Sequence, residues 1–239
     1  MLNLDNISLT MDGLPVLDHI NLEVKDNECA VILGPSGCGK SSLLNLVAGL
    51  ILPDQGQVWL NGADVTGITG QTSYMQQKHL LLPWRTLMDN CTLPLTLKGV
   101  PPKEANRRAA ELMGVFGLSG FEDYYPSALS GGMGQRAALL RTYLCDRPLM
   151  LLDEPFASLD AITRRRMQEW LGEIREQYRL SVLFVTHDID EAIYLGNHIY
   201  LLSGLPARVL RTYDVPSEGA ARAVLKNEIW SGLKDSQLC

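Results

Sequence analysis

The sequence predicts an α/β fold built on buried parallel strands, and three observations carry that prediction. CAVIL (29–33), PLMLL (148–152) and SVLFVT (181–186) are short, almost wholly apolar runs, as expected of strands covered on both faces. The first is followed by a glycine-rich turn and then by SSLLNLVAGL (41–50), which reads as a helix. The second ends in adjacent carboxylates, at the end of a strand where open α/β sheets bind their ligands.

The remaining elements follow in order. Residues 1 to about 70 combine short alternating strands with the strand–turn–helix unit; LDHINLEV (17–24) alternates apolar and polar positions as a half-buried strand does. From about 87 to 128 the pattern turns helical. Pro101 and Pro102 mark a start, after which Ala105, Ala109, Leu112, Met113 and Phe116 recur at helical spacing. Sheet returns with PLMLLDEP and SVLFVT. The basic run Arg164–Arg166 reads as the solvated face of a helix. One domain over 1–216, helical over 87–128, is expected to be followed by a short helical tail over 217–239.

Composition narrows the classes. The 239 residues are 46% hydrophobic and 20% charged, which suits a soluble globular protein with a sizeable core. A net charge of −6 argues against a nucleic-acid-binding surface, and no nucleic-acid partner is expected. The five cysteines (Cys29, Cys38, Cys91, Cys145, Cys239) are scattered without a CxxC or Cys/His cluster, so reduced thiols in a cytoplasmic protein are expected rather than zinc or disulfides. Neither a signal segment, a membrane span nor a long C-terminal regulatory domain is expected. Any membrane connection would run through a partner.

The stretch ILGPSGCGKSSLL carries the first chemistry. It fits G-x-x-x-x-G-K-[ST], with Gly34, Gly39, Lys40 and Ser41 at the fixed positions. In such a loop successive backbone N–H groups converge on phosphate oxygens, unobstructed by Cβ atoms. The phosphate then rests on a helix N-terminus. Lys40 would reach the β- and γ-phosphates and the Ser41 hydroxyl would ligate Mg²⁺; Pro35, Ser36, Gly37, Cys38 and Ser42 complete the expected ATP-binding loop. Cys38 reads mainly as a small space-filler, with a thiol activated by the helix terminus as the lesser alternative.

In PLMLLDEP, Asp153 would hold Mg²⁺, through water, and Glu154 would orient or deprotonate an attacking water. LSGGMGQRAALLRTYL (129–144) adds a second anion-binding helix start: Ser130 reads as an N-cap, and Gly131 and Gly132 leave the first N–H groups open.

GPSGCGKS, YMQQ, LSGGMGQR, LMLLDEP, SLD and VTHD, in this order, resemble the nucleotide-binding subunit of ATP-binding cassette transporters over nearly the whole chain. The resemblance implies a P-loop NTPase with a mixed central sheet, an N-terminal antiparallel β subdomain and an inserted helical subdomain. It implies ATP and Mg²⁺, hydrolysis coupled to transport, and a homodimer formed on ATP binding. In that dimer Ser130, Gly131, Gly132 and Asp160 would contact the nucleotide held by the other copy. Gln76 matches the glutamine that touches Mg²⁺ and the water, with Gln77 the neighbouring alternative. His187 matches the switch histidine near the γ-phosphate. Met11 falls where the family usually stacks an aromatic residue on adenine, so weaker base stacking is expected, with Val16 supplying part of the contact.

HLLLPWRTLMDNCTLPLTL (79–97) is read in two ways: as subdomain core, and as a groove for a short helix of a membrane subunit anchored on Trp84. LLPWRT and LSGLPARVLRTYDVP resemble importers for nitrate, sulfonates such as taurine, and thiamine precursors. Permease subunits and a solute-binding protein are therefore the expected partners, and the inner face of the cell membrane the expected location. The rival readings are a soluble cassette ATPase acting on nucleic acid or ribosomes, and a small-molecule or nucleotide kinase. Two cassettes or a long coiled coil would be expected of the first, and the kinase leaves LSGG unexplained. The cargo is not encoded in these motifs.

Overall fold

The computed structural model describes residues 1–157 and 159–236, so Ser158 of the SLD motif and Cys239 lie outside the described residues. The chain opens with β1 (Leu2–Met11), β2 (Leu14–Val24), β3 (Cys29–Leu33), α1 (Lys40–Val47), β4 (Gln55–Leu60), β5 (Ala63–Asp64) and β6 (Ser73–Met75). Helices α2 (Leu87–Leu97), α3 (Pro102–Met113) and α4 (Gly131–Tyr143) follow. The alternation then resumes with β7 (Leu149–Asp153), α5 (Ala161–Tyr178), β8 (Ser181–Thr186), α6 (Ile189–Leu195), β9 (His198–Leu202), β10 (Val209–Asp214) and α7 (Gly219–Ser236).

Two sheets form. The antiparallel sheet has the order β2-β1-β4-β5, and the larger one β10-β9-β3-β8-β7-β6. In the larger sheet β10 pairs antiparallel with β9, while every pairing from β9 to β6 is parallel. This is the expected mixed sheet with an antiparallel β subdomain and a helical subdomain.

The apolar runs are explained by burial on both faces. Along β3, Cys29, Val31 and Leu33 enter one core with α2, α3 and α4, while Ala30 and Ile32 enter a second core with α1 and the antiparallel sheet. Along β7, Met150 and Leu152 likewise face the first core, and Leu149 and Leu151 the second. A period-2 element with a core on each side needs no polar positions.

In α3 the predicted stripe packs inward: Ala105, Ala109 and Met113 are buried, with Phe116 just beyond the helix. Phe116 meets Trp170 of α5 edge-to-face at 4.8 Å, tying the helical layer to the strand layer. One feature escaped sequence reading. Asn90 in α2 is fully buried; its Oδ1 accepts from Leu82 N–H, and its Nδ2 donates to the carbonyls of Leu82, Arg85 and Thr86. This side chain fastens the segment after β6 to the helical layer.

Candidate active site

Because β6, β7, β8 and β3 are adjacent and parallel, their C-terminal ends bring four loops together. From β3 comes the glycine-rich loop. Gly39 caps α1 at φ +102°, and a Cβ there would meet Val16 Cγ1 at 2.9 Å, so this glycine is required by both conformation and space. Lys40 is only 5% exposed, and its Nζ donates to Gly34 O (2.9 Å) and Pro35 O (2.7 Å). A cleft of about 430 Å³ is lined by Val16, Ser36, Gly37, Gly39, Lys40, Ser41, Ser42, Gln77, Glu154 and Leu205. At its margin the Ser42 hydroxyl donates to Met11 Sδ at 3.7 Å, so Met11 stands beside the loop, 43% exposed. Leu205 was not anticipated; it is an exposed residue of the β9–β10 turn.

Cys38 is buried, and burial raises its thiol above the ordinary range more strongly than the nearby Lys40 ammonium lowers it. Burial thus works against the activated-thiol alternative.

From β7 come the carboxylates. Asp153 is 4% exposed, and burial raises its carboxyl above the usual range; the Glu154 charge adds to this, while the Ser41 hydroxyl and Lys40 ammonium oppose it. Tyr74 O–H approaches Asp153 Oδ2 at 3.5 Å, while Oδ1, also buried, lacks a hydrogen-bond partner. A buried carboxylate oxygen without a partner, beside a serine hydroxyl, fits an oxygen-seeking divalent cation.

Glu154 adopts φ +43°, uncommon for a residue with a Cβ, and its N–H donates to Val185 O at 3.0 Å. The tight turn leads the side chain to the cleft. There Oε2 lies 3.1 Å from His187 Nδ1 and accepts from Gln77 Nε2 at 3.4 Å. Thus β6, β7 and β8 each deliver one residue to this cluster. Of the two adjacent glutamines, both exposed, Gln77 lines the cleft.

The other predicted residues lie apart from this cleft. Ser130 caps α4, its Oγ accepting from Met133 N–H at 3.3 Å. Asp160 caps α5 by accepting from the N–H groups of Ile162 (3.1 Å) and Thr163 (3.0 Å); the Thr163 hydroxyl, then these N–H bonds, hold its carboxyl below the usual range. The two helix starts abut, since a Cβ on Gly132 would meet Thr163 Cγ2 at 2.9 Å. None of Ser130, Gly131, Gly132 or Asp160 is among the residues lining the cleft.

This chain is similar to known proteins. Residues 17–157 match the family model described as ABC transporter. The chain is 46% identical over 202 residues to an ABC transporter ATP-binding protein of Methanocaldococcus jannaschii, covering 84% of this chain and 76% of that one. It is 43% identical over 204 residues to the formylaminopyrimidine import ATP-binding protein ThiZ of Halalkalibacterium halodurans, covering 85% and 80%. Its fold matches a dimeric, post-hydrolysis ATP-binding cassette bound to ADP and Pi, with TM-score 0.79 and 30% identity over 91% of this chain and all of that one. The glycine-rich loop, the carboxylate pair and the LSGG helix therefore belong to an ATP-binding and ATP-hydrolysing component: the chain is a member of the ABC transporter family.

Proposed function

We propose that two copies of this chain close around two molecules of Mg-ATP, and that closing and reopening drive import of a small solute through membrane-spanning partners. The observation that carries this reading is a separation. The P-loop, Gln77 and Glu154 line one cleft, with Asp153 next to Glu154 in the chain and His187 Nδ1 3.1 Å from the Glu154 carboxylate, while Ser130–Gly132 and Asp160 are not among its lining residues. A cap whose glycines leave its helix N–H groups open has no phosphate to meet within one chain, and a second copy in head-to-tail orientation supplies one. The dimeric cassette among the solved relatives supports the same assembly.

Within each site, Lys40 and the loop N–H groups hold the β- and γ-phosphates. Ser41 and Asp153, with Gln76 or its neighbour Gln77, would hold Mg²⁺, which neutralises charge on the phosphate oxygens. Glu154 orients or deprotonates the water, and His187 restrains Glu154 and the γ-phosphate. Met11, Val16 and Leu205 cover the base. Closure does work because ATP binds the closed pair more tightly than the open one.

The permease contact is proposed at the segment fastened by Asn90. Leu81, Leu87, Cys91 and Leu95 are buried, while Trp84 is 71% and Leu80 49% exposed. The two readings of this stretch thus divide among its residues, with Trp84 as the anchor for a short helix of the membrane subunit. Import rests on names such as that of ThiZ. Co-expression with the adjacent permease genes and a solute-binding protein, followed by reconstitution into vesicles, tests this function. ATP-dependent uptake supports it; an ATPase that never associates with a membrane subunit contradicts it.

A further inference from the structure

Behind the cleft, between α5 and α6, lies a buried polar group that the reaction as described does not use. Glu191 is 5% exposed, Gln168 8% and Thr186 1%. Glu191 accepts on both oxygens: Oε2 from the Thr186 hydroxyl at 2.5 Å, Oε1 from Gln168 Nε2 at 3.2 Å. A carboxylate with each oxygen accepting a donor is held in one position. Thr186 Oγ1 in turn accepts from Asp188 N–H at 3.0 Å, so the hydroxyl clamps the turn on both sides of His187. Asp188 caps α6 by accepting from Asp190 and Glu191 N–H groups.

The other end of the link is α5, the helix that Asp160 caps. Gln168 stands on it, and so does Arg164, whose Nη2 donates to Leu159 O at 3.0 Å and whose charge acts on Glu191. Helix α5, through Gln168, and the turn carrying His187, through Thr186, therefore meet at one carboxylate.

We propose that Glu191 and Gln168 are positioning residues for hydrolysis: they set His187 against Glu154 according to where the start of α5 sits. This rests on the reading of His187 and of the Asp160 loop given above. When a second copy presses on that loop, the displacement reaches His187 through α5, Gln168 and Glu191. Loosening the link costs turnover and leaves nucleotide binding alone, because none of the linking side chains lines the cleft.

The test is a double-mutant cycle on the full chain, with steady-state ATPase as readout. Gln168→Leu removes the amide donor and is expected to lower kcat about tenfold, the scale of one lost buried hydrogen bond, with the KM for ATP within about twofold. Combined with His187→Ala it is expected to cost nothing further, since a residue acting only through His187 has no effect once that side chain is gone. Thr186→Val should reproduce the loss, and Thr186→Ser, which keeps the hydroxyl, should restore the rate; this pair decides if Gln168→Leu does not fold. Losses that multiply with His187→Ala, or a Gln168→Leu rate equal to wild type, overturn the proposal. A His187→Ala variant at full rate removes the histidine reading itself and this proposal with it.

Discussion

His187 Nδ1 lies 3.1 Å from Glu154 Oε2, although the two residues leave different strands and are more than 30 positions apart. Parallel pairing of β7 with β8 sets the strand ends level, with Asp153 opposite Val185, and the left-handed backbone of Glu154 turns its carboxylate toward the histidine. Backbone in this sparsely populated region costs of order 1–3 kcal/mol and tends to persist at functional sites. This geometry supports the proposal that Glu154 carries the hydrolytic chemistry.

Glu154→Gln keeps size and cleft geometry but removes the base. Hydrolysis is expected to fall by about 10²–10⁴-fold, the usual contribution of a positioned base, while ATP binding is retained. Single-turnover hydrolysis with radiolabelled ATP measures the first, and a fluorescent-nucleotide titration the second.

Lys40→Ala acts on the other side of the phosphate. It removes the charge proposed to meet the β- and γ-phosphates and leaves the carbonyls of Gly34 and Pro35 without their donor. Affinity for ATP is expected to drop at least tenfold, read by calorimetry, with the melting temperature checked in parallel.

Asp153 predicts opposite effects on stability and activity. Burial raises its folded-state carboxyl above the unfolded value, so the folded chain binds this proton more tightly. Its contribution to stability is present below the unfolded pKa and is lost as pH rises through the folded one. Without divalent cation at pH 7, Asp153→Asn is expected to melt higher than wild type. Mg²⁺ should raise the wild-type melting temperature more than that of the variant, and ATPase activity should be lost. Thermal melts with and without Mg²⁺ check each part.

Much of this was legible in the sequence because the signals are local. A buried parallel strand writes itself as an apolar run, a phosphate loop as spaced glycines with a lysine, and the α4 cap as Ser130 before two glycines. What escaped depends on how distant segments meet. YMQQ offers two adjacent glutamines, and only the course of the chain after β6 shows that Gln77 reaches Glu154. Asn90 resembles any polar helix residue until its bonds to Leu82, Arg85 and Thr86 are seen. Leu205 reaches the cleft from a turn over a hundred residues beyond the glycine-rich loop. The Cys38 thiol shows the converse: local reasoning supplied a helix terminus but could not supply the burial that works against activation.

Trp84→Ala tests the proposed permease surface. With 71% of the residue already exposed, the isolated subunit should keep its melting temperature and ATPase rate nearly unchanged. Co-purification with the permease should fall at least tenfold, the scale of an aromatic anchor at an interface. A variant that loses stability instead would make Trp84 part of the core.

The central claim is that the ATP site is completed by a second copy, and sedimentation equilibrium of Glu154→Gln with saturating ATP and Mg²⁺ tests it most directly. The expected result is a species of twice the chain mass of 26.4 kDa carrying two nucleotides, reverting to one chain when Ser130→Arg blocks the α4 start. A nucleotide-loaded species that stays at the mass of one chain, or a dimer indifferent to Ser130→Arg, would contradict it.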